Sequence, residues 1–195
     1  NSSWYKKNQQ YPASVKNAES AIRSAMLDIP QYDHAQAAKL MKSGDTEGAK
    51  KRFGKAIEGY NAFLKRYAKE PTWDEYKVHI NLALVYQEMS QFANAAKMFN
   101  WIVDCDTNRY GRRPPNTDVA LKKEEAGYNA VLMMDQAREE AMKTKAGNDP
   151  VKAYALPETK AYFAQVDTYM KKFGQKEEAA ELAYNAAIVH YNAKQ

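Results

Sequence analysis

One cysteine, Cys105, stands in 195 residues. No disulfide can close within the chain, so packing alone must hold the fold, and a lone thiol says nothing about compartment. Glycine and proline are sparse too, at eight and seven residues. Ala, Lys, Glu, Gln and Met outnumber them, which favours helix throughout. Long apolar runs are missing, and nothing approaches the ~20 residues that cross a bilayer as a helix. The opening NSSWYKKNQQYP has no apolar core of the kind a secretory signal carries, although a leader already removed would leave no mark there. Charge of one sign is also missing. The 29 basic and 24 acidic residues give a net charge of +5 and are interspersed as on solvated helix faces, a weak basis for nucleic-acid binding.

Absent as well are the arrangements that carry catalysis. His34, His79 and His190 fall on three separate helical segments, the last in an apolar stripe where a packed imidazole is the ordinary role. There is no nucleophile–base pair, no HExxH spacing and no glycine-rich phosphate loop. The paired acids Glu124/Glu125, Glu139/Glu140 and Glu177/Glu178 sit at helix starts or on exposed faces, where they favour the helix dipole or solubility. The expectation is a protein that is not an enzyme and takes neither cofactor nor metal.

Helical periodicity is what the sequence does contain, most clearly in YKVHINLALVYQEMSQFANAAKMFNWIVDCDTN, residues 76–108. Ile80, Leu82, Ala83, Val85, Tyr86 and Met89 recur at helical spacing, then Phe92, Ala95, Ala96, Phe99, Ile102 and Val103 after a turn near Ser90. Ala83 and Ala95/Ala96 let two backbones approach closely, while Tyr86, Phe92 and Phe99 fill the wedge between them. This alternation of small and aromatic residues resembles the tetratricopeptide repeat (TPR), a helix–turn–helix unit of roughly 34 residues. The resemblance implies an all-α fold of about eight helices, stacked antiparallel hairpins forming a TPR-like α-solenoid.

Residues 1–12 read as a polar arm or short leading helix. A helical stripe through Val15, Ala18, Ile22, Ala25 and Met26 is expected to stop at Pro30, leaving a lone second helix whose partner would lie upstream. The small-and-large spacing returns with Ala37, Leu40, a turn at Gly44-Asp45, then Ala49, Phe53 and Ala56. The stripe continues through Ile57, Tyr60, Phe63, Leu64 and Tyr67, which predicts a helix of about 23 residues. Pro71 closes it, and Thr72 is a candidate N-cap for the next.

The stretch DCDTNRYGRRPPNTD looks irregular. Its Asp104, Asp106, Asn108 alternation is a poor calcium loop, since Gly111 falls too late and no acid closes it. Arg109, Arg112 and Arg113 read as a solvated basic loop. Thr117 or Asp118 should cap a long helix to about Lys143, with Ala126, Ala130, Leu132, Met133 and Ala137 packing inward. KAGNDPVKAYALP reads as a loop. Pro157 opens a helix carrying Tyr162, Val166, Tyr169 and Phe173, and 177–195 is a last helix resembling the first of a hairpin. Its face of Ala183, Ala186, Ala187, Val189 and His190 is expected to be covered on one side only. Residues 13–195 thus read as a single repeat domain, a fragment of a longer array that should pair with itself through this end.

Asn81, Asn129 and Asn185 each precede the packing stripe of a first helix, at intervals of 48 and 56 residues, longer than the family's period. In TPR proteins the first helices line a concave face, and an asparagine there contacts a bound peptide's backbone. By resemblance, a peptide-binding groove would comprise Lys77, Asn81, Leu84, Gln87 and Glu88, then Tyr128, Asn129 and Leu132, then Tyr184, Asn185, Ile188 and Tyr191. The plain alternative is that the asparagines tie neighbouring helices together. A carboxylate clamp built on Lys77 and Asn81 is rejected, because Glu125 and Glu181 at the facing positions would repel a carboxylate.

The expected function is a protein–protein interaction scaffold that binds a peptide or partner domain on a concave helical surface. One alternative is a helical-repeat nucleic-acid binder, which the uneven spacing argues against. Another is a structural segment packed on the rest of a longer chain. Long arrays with first helices of the YNAA type resemble bacterial ones, many of which work in the cell envelope, so the resemblance leans to the periplasm while leaving the compartment unknown.

Overall fold

A computed structural model describes residues 2–70, 72–112 and 122–194. Pro71, Arg113 and the expected caps Thr117 and Asp118 lie outside them. Among the described residues every regular element is helical, and the chain divides into two compact units at Pro71/Thr72, inside the span 13–195 read from the sequence as one domain.

The first unit is one long antiparallel hairpin preceded by a short helix. Helix α1 (Ser3–Asn8) is held at its start by the Ser2 hydroxyl, which accepts from the Tyr5 amide. Helix α2 (Pro12–Lys42) begins on a proline and runs for 31 residues. It does not stop at Pro30, and the lone second helix expected upstream of that residue is the front half of α2. Packing overrides the proline's local cost here: Pro30 is buried, and it faces Gly59 on the returning helix. A Cβ on Gly59 would stand 2.9 Å from that of Pro30, so the glycine makes room for the ring.

The turn into α3 (Thr46–Tyr67) has the chemistry its sequence announces. Gly44 takes a φ of +86°, a left-handed value that glycine adopts without strain, and the Asp45 carboxylate accepts from the Gly48 amide to cap the helix. Across the α2–α3 seam Ala37, Ala49, Phe53, Ala56, Tyr60 and Phe63 are all buried. Each large side chain among them contributes roughly 1.5–3 kcal/mol by leaving water. The carboxylate of Asp33, also buried, is neutralised by Arg52 from α3.

The second unit opens with α4 (Trp73–Glu88) and α5 (Phe92–Asp104), the hairpin anticipated from the small-and-aromatic pattern. Thr72 occupies the N-cap position but its side chain makes no cap bond to the helix. Ser90 turns the chain with a φ of 56°. Ala83, Ala95 and Phe99 are buried as expected, whereas Tyr86 is only half-buried at the edge of the same cluster. The irregular stretch then forms a single-turn 3-10 helix, Thr107–Tyr110, capped by the Asp106 carboxylate. Arg109 is more than a solvated cation there: it pairs with Glu75 of α4 at 2.7 Å.

Helix α6 (Lys123–Lys145) buries Ala126, Ala130 and Met133 against α5, while Leu132 and Ala137 are half-buried. The segment expected as a loop contains a further short helix, α7 (Pro150–Tyr154), because Asp149 caps it by accepting from the amides of Val151 and Lys152. Helix α8 (Pro157–Phe173) starts on its proline and packs on α6. Gly127 makes the approach close: a Cβ there would meet the Phe173 ring at 3.0 Å. Helix α9 (Glu177–Ala193) completes the unit, with Ala179, Leu182 and Ala186 buried against Tyr162, Val166 and Tyr169 of α8 and Val131 of α6.

Nine α-helices appear among the described residues, in line with the all-α fold of about eight helices that was expected. The packed face of α9 is rotated from the one anticipated, since Ala183, Ala187 and His190 are exposed.

Candidate functional site

The twelve residues expected to line one groove are distributed over α4, α6 and α9. On α4, Lys77 and Asn81 are half-buried, while Leu84, Gln87 and Glu88 are exposed. On α6, Tyr128, Asn129 and Leu132 are half-buried. On α9, Tyr184, Asn185, Ile188 and Tyr191 are all exposed.

Two separate clefts gather part of this set. Gln87 and Glu88 meet Leu132 around a cleft of 470 Å³ that Phe92, Met133 and Gln136 complete. Asn185 and Ile188 line another, of 390 Å³, whose opposite wall is Asp135, Arg138 and Glu139 of α6 and whose end is closed by Pro150, Ala153 and Tyr154 of α7. Tyr128 belongs to neither lining. Its hydroxyl donates to the Glu181 carboxylate, 3.4 Å from each oxygen, and its ring meets Tyr169 edge-on. Burial, with Glu181 adding to it, pushes the Tyr128 phenol up.

Among the described residues the side chains of Asn81, Asn129 and Asn185 have no hydrogen-bond partner. The amides that do tie helices together are Asn100 of α5 and Gln165 of α8. They exchange two hydrogen bonds, of 2.7 and 2.9 Å, and Gln165 is buried. Nothing local distinguishes these two from surface amides, and sequence reading missed them.

The electrostatics of the 390 Å³ cleft rest on Arg138. Its side chain is 11% exposed and lies with its guanidinium 5.4 Å from the centre of the Tyr162 ring. Asp135 Oδ1 accepts from Nε, at 2.7 Å, and lies 2.6 Å from Nη2 as an ion pair. Glu139 Oε1 stands 3.6 Å from the same Nη2. Burial pushes the Tyr162 phenol up to about 12, with Asp135 adding to the shift and Arg138 opposing it. At the rim His190 is exposed, not packed in a stripe. It stacks on Phe163 with ring centres 4.1 Å apart, and its Nδ1 is hydrogen-bonded to the Tyr154 hydroxyl at 2.7 Å. Asp135, Arg138 and Glu139 were legible only as the i, i+3, i+4 charges of an exposed-looking face.

Beside this cleft α9 carries Tyr184, Ile188 and Tyr191 at 66%, 40% and 65% exposure. Spaced i, i+4, i+7, they form one stripe on the helix, and exposed Ala180 and Ala187 extend it. No group of three or more His, Cys, Asp or Glu side chains among the described residues is placed to hold a metal. No helix among them is long and apolar enough to cross a membrane. No protein-family model, characterised protein or solved structure matches the chain. The fold therefore defines a class, all-α with packed helices.

Proposed function

We propose that this protein is a helical interaction module that binds a peptide or partner domain through α9 and the cleft beside it. One observation carries the reading. Helix α9 buries Ala179, Leu182 and Ala186 on one side and leaves Tyr184, Ile188 and Tyr191 in water on another. Grouped apolar side chains gain nothing from staying wet, and tyrosine suits a docking face because its ring is apolar and its hydroxyl still finds partners. The free Asn185 amide alongside can donate to and accept from an extended backbone. The α4–α5 hairpin, with Ala83 and Ala95 buried at the crossing, is what supports a tetratricopeptide-type unit within this reading.

Selection of random displayed peptides on the purified protein tests it. Selected peptides are expected to lose at least about 1 kcal/mol of affinity when Tyr184, Ile188 and Tyr191 are together replaced by Ala. The melting temperature should hold, because the three side chains are exposed. Failure to enrich any peptide, or binders indifferent to the triple substitution, would overturn the proposal. Sedimentation of the unliganded protein distinguishes the remaining occupant: if the stripe docks on a second copy, the mass rises with concentration and the triple variant stays monomeric.

A further inference from the structure

The cleft between α6, α7 and α9 has a definite chemical preference, which follows from how its charges are already committed. Its lining contains one cation, Arg138, and two carboxylates, Asp135 and Glu139, leaving one negative charge in excess. The cation is already paired with both carboxylates. Arg138 Nε donates to Asp135 Oδ1, and Nη2 is ion-paired with that same oxygen and with Glu139 Oε1. Oδ2 of Asp135 and Oε2 of Glu139 accept nothing among the described residues. An ionised carboxylate offers about four acceptor sites, so both side chains retain accepting capacity.

An anion entering here would meet a lining with two carboxylates, one cation and a net negative charge. An apolar group would strip water from carboxylate oxygens and give them no partner in return. A guanidinium or ammonium group meets neither objection. At 390 Å³ the cleft is near the small end of ligand sites, too small for a docking helix and adequate for one long side chain. Asn185 and Asn192 stand two helical turns apart on the α9 wall, and neither amide is engaged among the described residues. Such amides can hold the backbone of an extended segment while its side chain points inward.

We infer that this cleft is a pocket for a cationic side chain, arginine above lysine, presented by an extended peptide. The inference rests on the binding role proposed above and names the partner's chemistry. Arginine is favoured because its planar fork can meet Asp135 Oδ2 and Glu139 Oε2 together, whereas an ammonium acts as a point charge.

The test is an NMR titration of the whole protein with N-acetyl-argininamide, and in parallel with the lysine, norleucine and glutamate analogues. The arginine probe should give saturable shifts in the Asn185 and Asn192 side-chain amides and in the Ala153 and Tyr154 backbone. The lysine probe should bind more weakly, and the norleucine and glutamate probes should give no saturable shift. Glu139→Gln should weaken the arginine probe by about tenfold or more, while Asp135 keeps Arg138 paired and the spectrum otherwise unchanged. Added salt should weaken the arginine probe as well. Equal response to the glutamate or norleucine probe, or an arginine response that Glu139→Gln leaves untouched, overturns the assignment. The two proposals fail separately. Displayed peptides that depend on Tyr184, Ile188 and Tyr191 but carry no basic residue at a fixed position would sink the cationic pocket and spare the interaction module, whereas an absence of any selected peptide sinks the module.

Discussion

His79 shows how a single side chain ties sequence to stability. It lies buried on α4, its ring parallel to that of Trp101 with centres 3.5 Å apart. Nδ1 donates to the Glu75 carbonyl at 2.8 Å, which places the proton of the neutral ring on that nitrogen. Burial is the largest influence and lowers its pKa from 6.5; the Glu75 hydrogen bond and charge oppose it, and Arg109 adds to it. The unfolded chain therefore binds the proton more readily than the folded one. The stabilisation is fully present above pH 6.5 and is lost as the pH falls toward the folded value. Denaturant midpoints read from Trp101 emission should decline between about pH 7 and about pH 5. His79→Phe keeps a ring on Trp101 but removes the titration and the hydrogen bond. It should start lower at neutral pH and stay flatter across that interval. An equally steep decline in the variant would place the pH dependence elsewhere.

At the scale of elements, α2 and α3 offer the same substitution with opposite signs. Gly54 and Gly59 both lie within α3. A Cβ on Gly54 would meet nothing within 4 Å, whereas on Gly59 it would meet the Pro30 ring at 2.9 Å. Gly54→Ala should therefore stabilise by up to about 1 kcal/mol through helix propensity and a less free unfolded chain. Gly59→Ala gains the same propensity but must displace a stiff ring, and overpacking of about 1–3 kcal/mol outweighs it. Calorimetry of the two variants, giving melting temperatures that move in opposite directions, checks the seam. That seam also marks where the sequence was legible and where it was not. The α4–α5 hairpin could be read because its spacing and its small residues are local. The continuity of α2 through Pro30 could not, since the residue that accommodates the proline lies 29 positions away. Helix α7 escaped notice because five residues are too few to show a period. The same limit applies to the candidate site. The asparagine row and the tyrosines of α9 were visible as a pattern. The cleft that Asn185 lines and Asn81 does not was hidden, because it is made by α6, α7 and α9 coming together.

For the whole molecule, the division at Pro71/Thr72 has energetic consequences because each unit closes its own core. Phe53, Tyr60 and Phe63 are buried between α2 and α3 of the first unit. The two clusters around Phe99 and around Tyr162 are made wholly of residues from the second. The tryptophans divide unevenly. Trp73 and Trp101 lie in the second unit's aromatic cluster, whereas Trp4, the first unit's one tryptophan, is exposed on α1 and will change little on unfolding. Tryptophan emission therefore reports the second unit, while circular dichroism at helical wavelengths reports both. If the units unfold independently, Gly59→Ala should lower only the part of the dichroism melt that belongs to the first unit. The expected shift is about 4–8 °C for each kcal/mol lost in a domain of this size. The emission melt should stay where it was. A matching shift in the emission of Trp73 and Trp101 would mean that the two cores melt as one cooperative body, and that a proline–glycine contact in the first hairpin also sets the stability of the α9 surface.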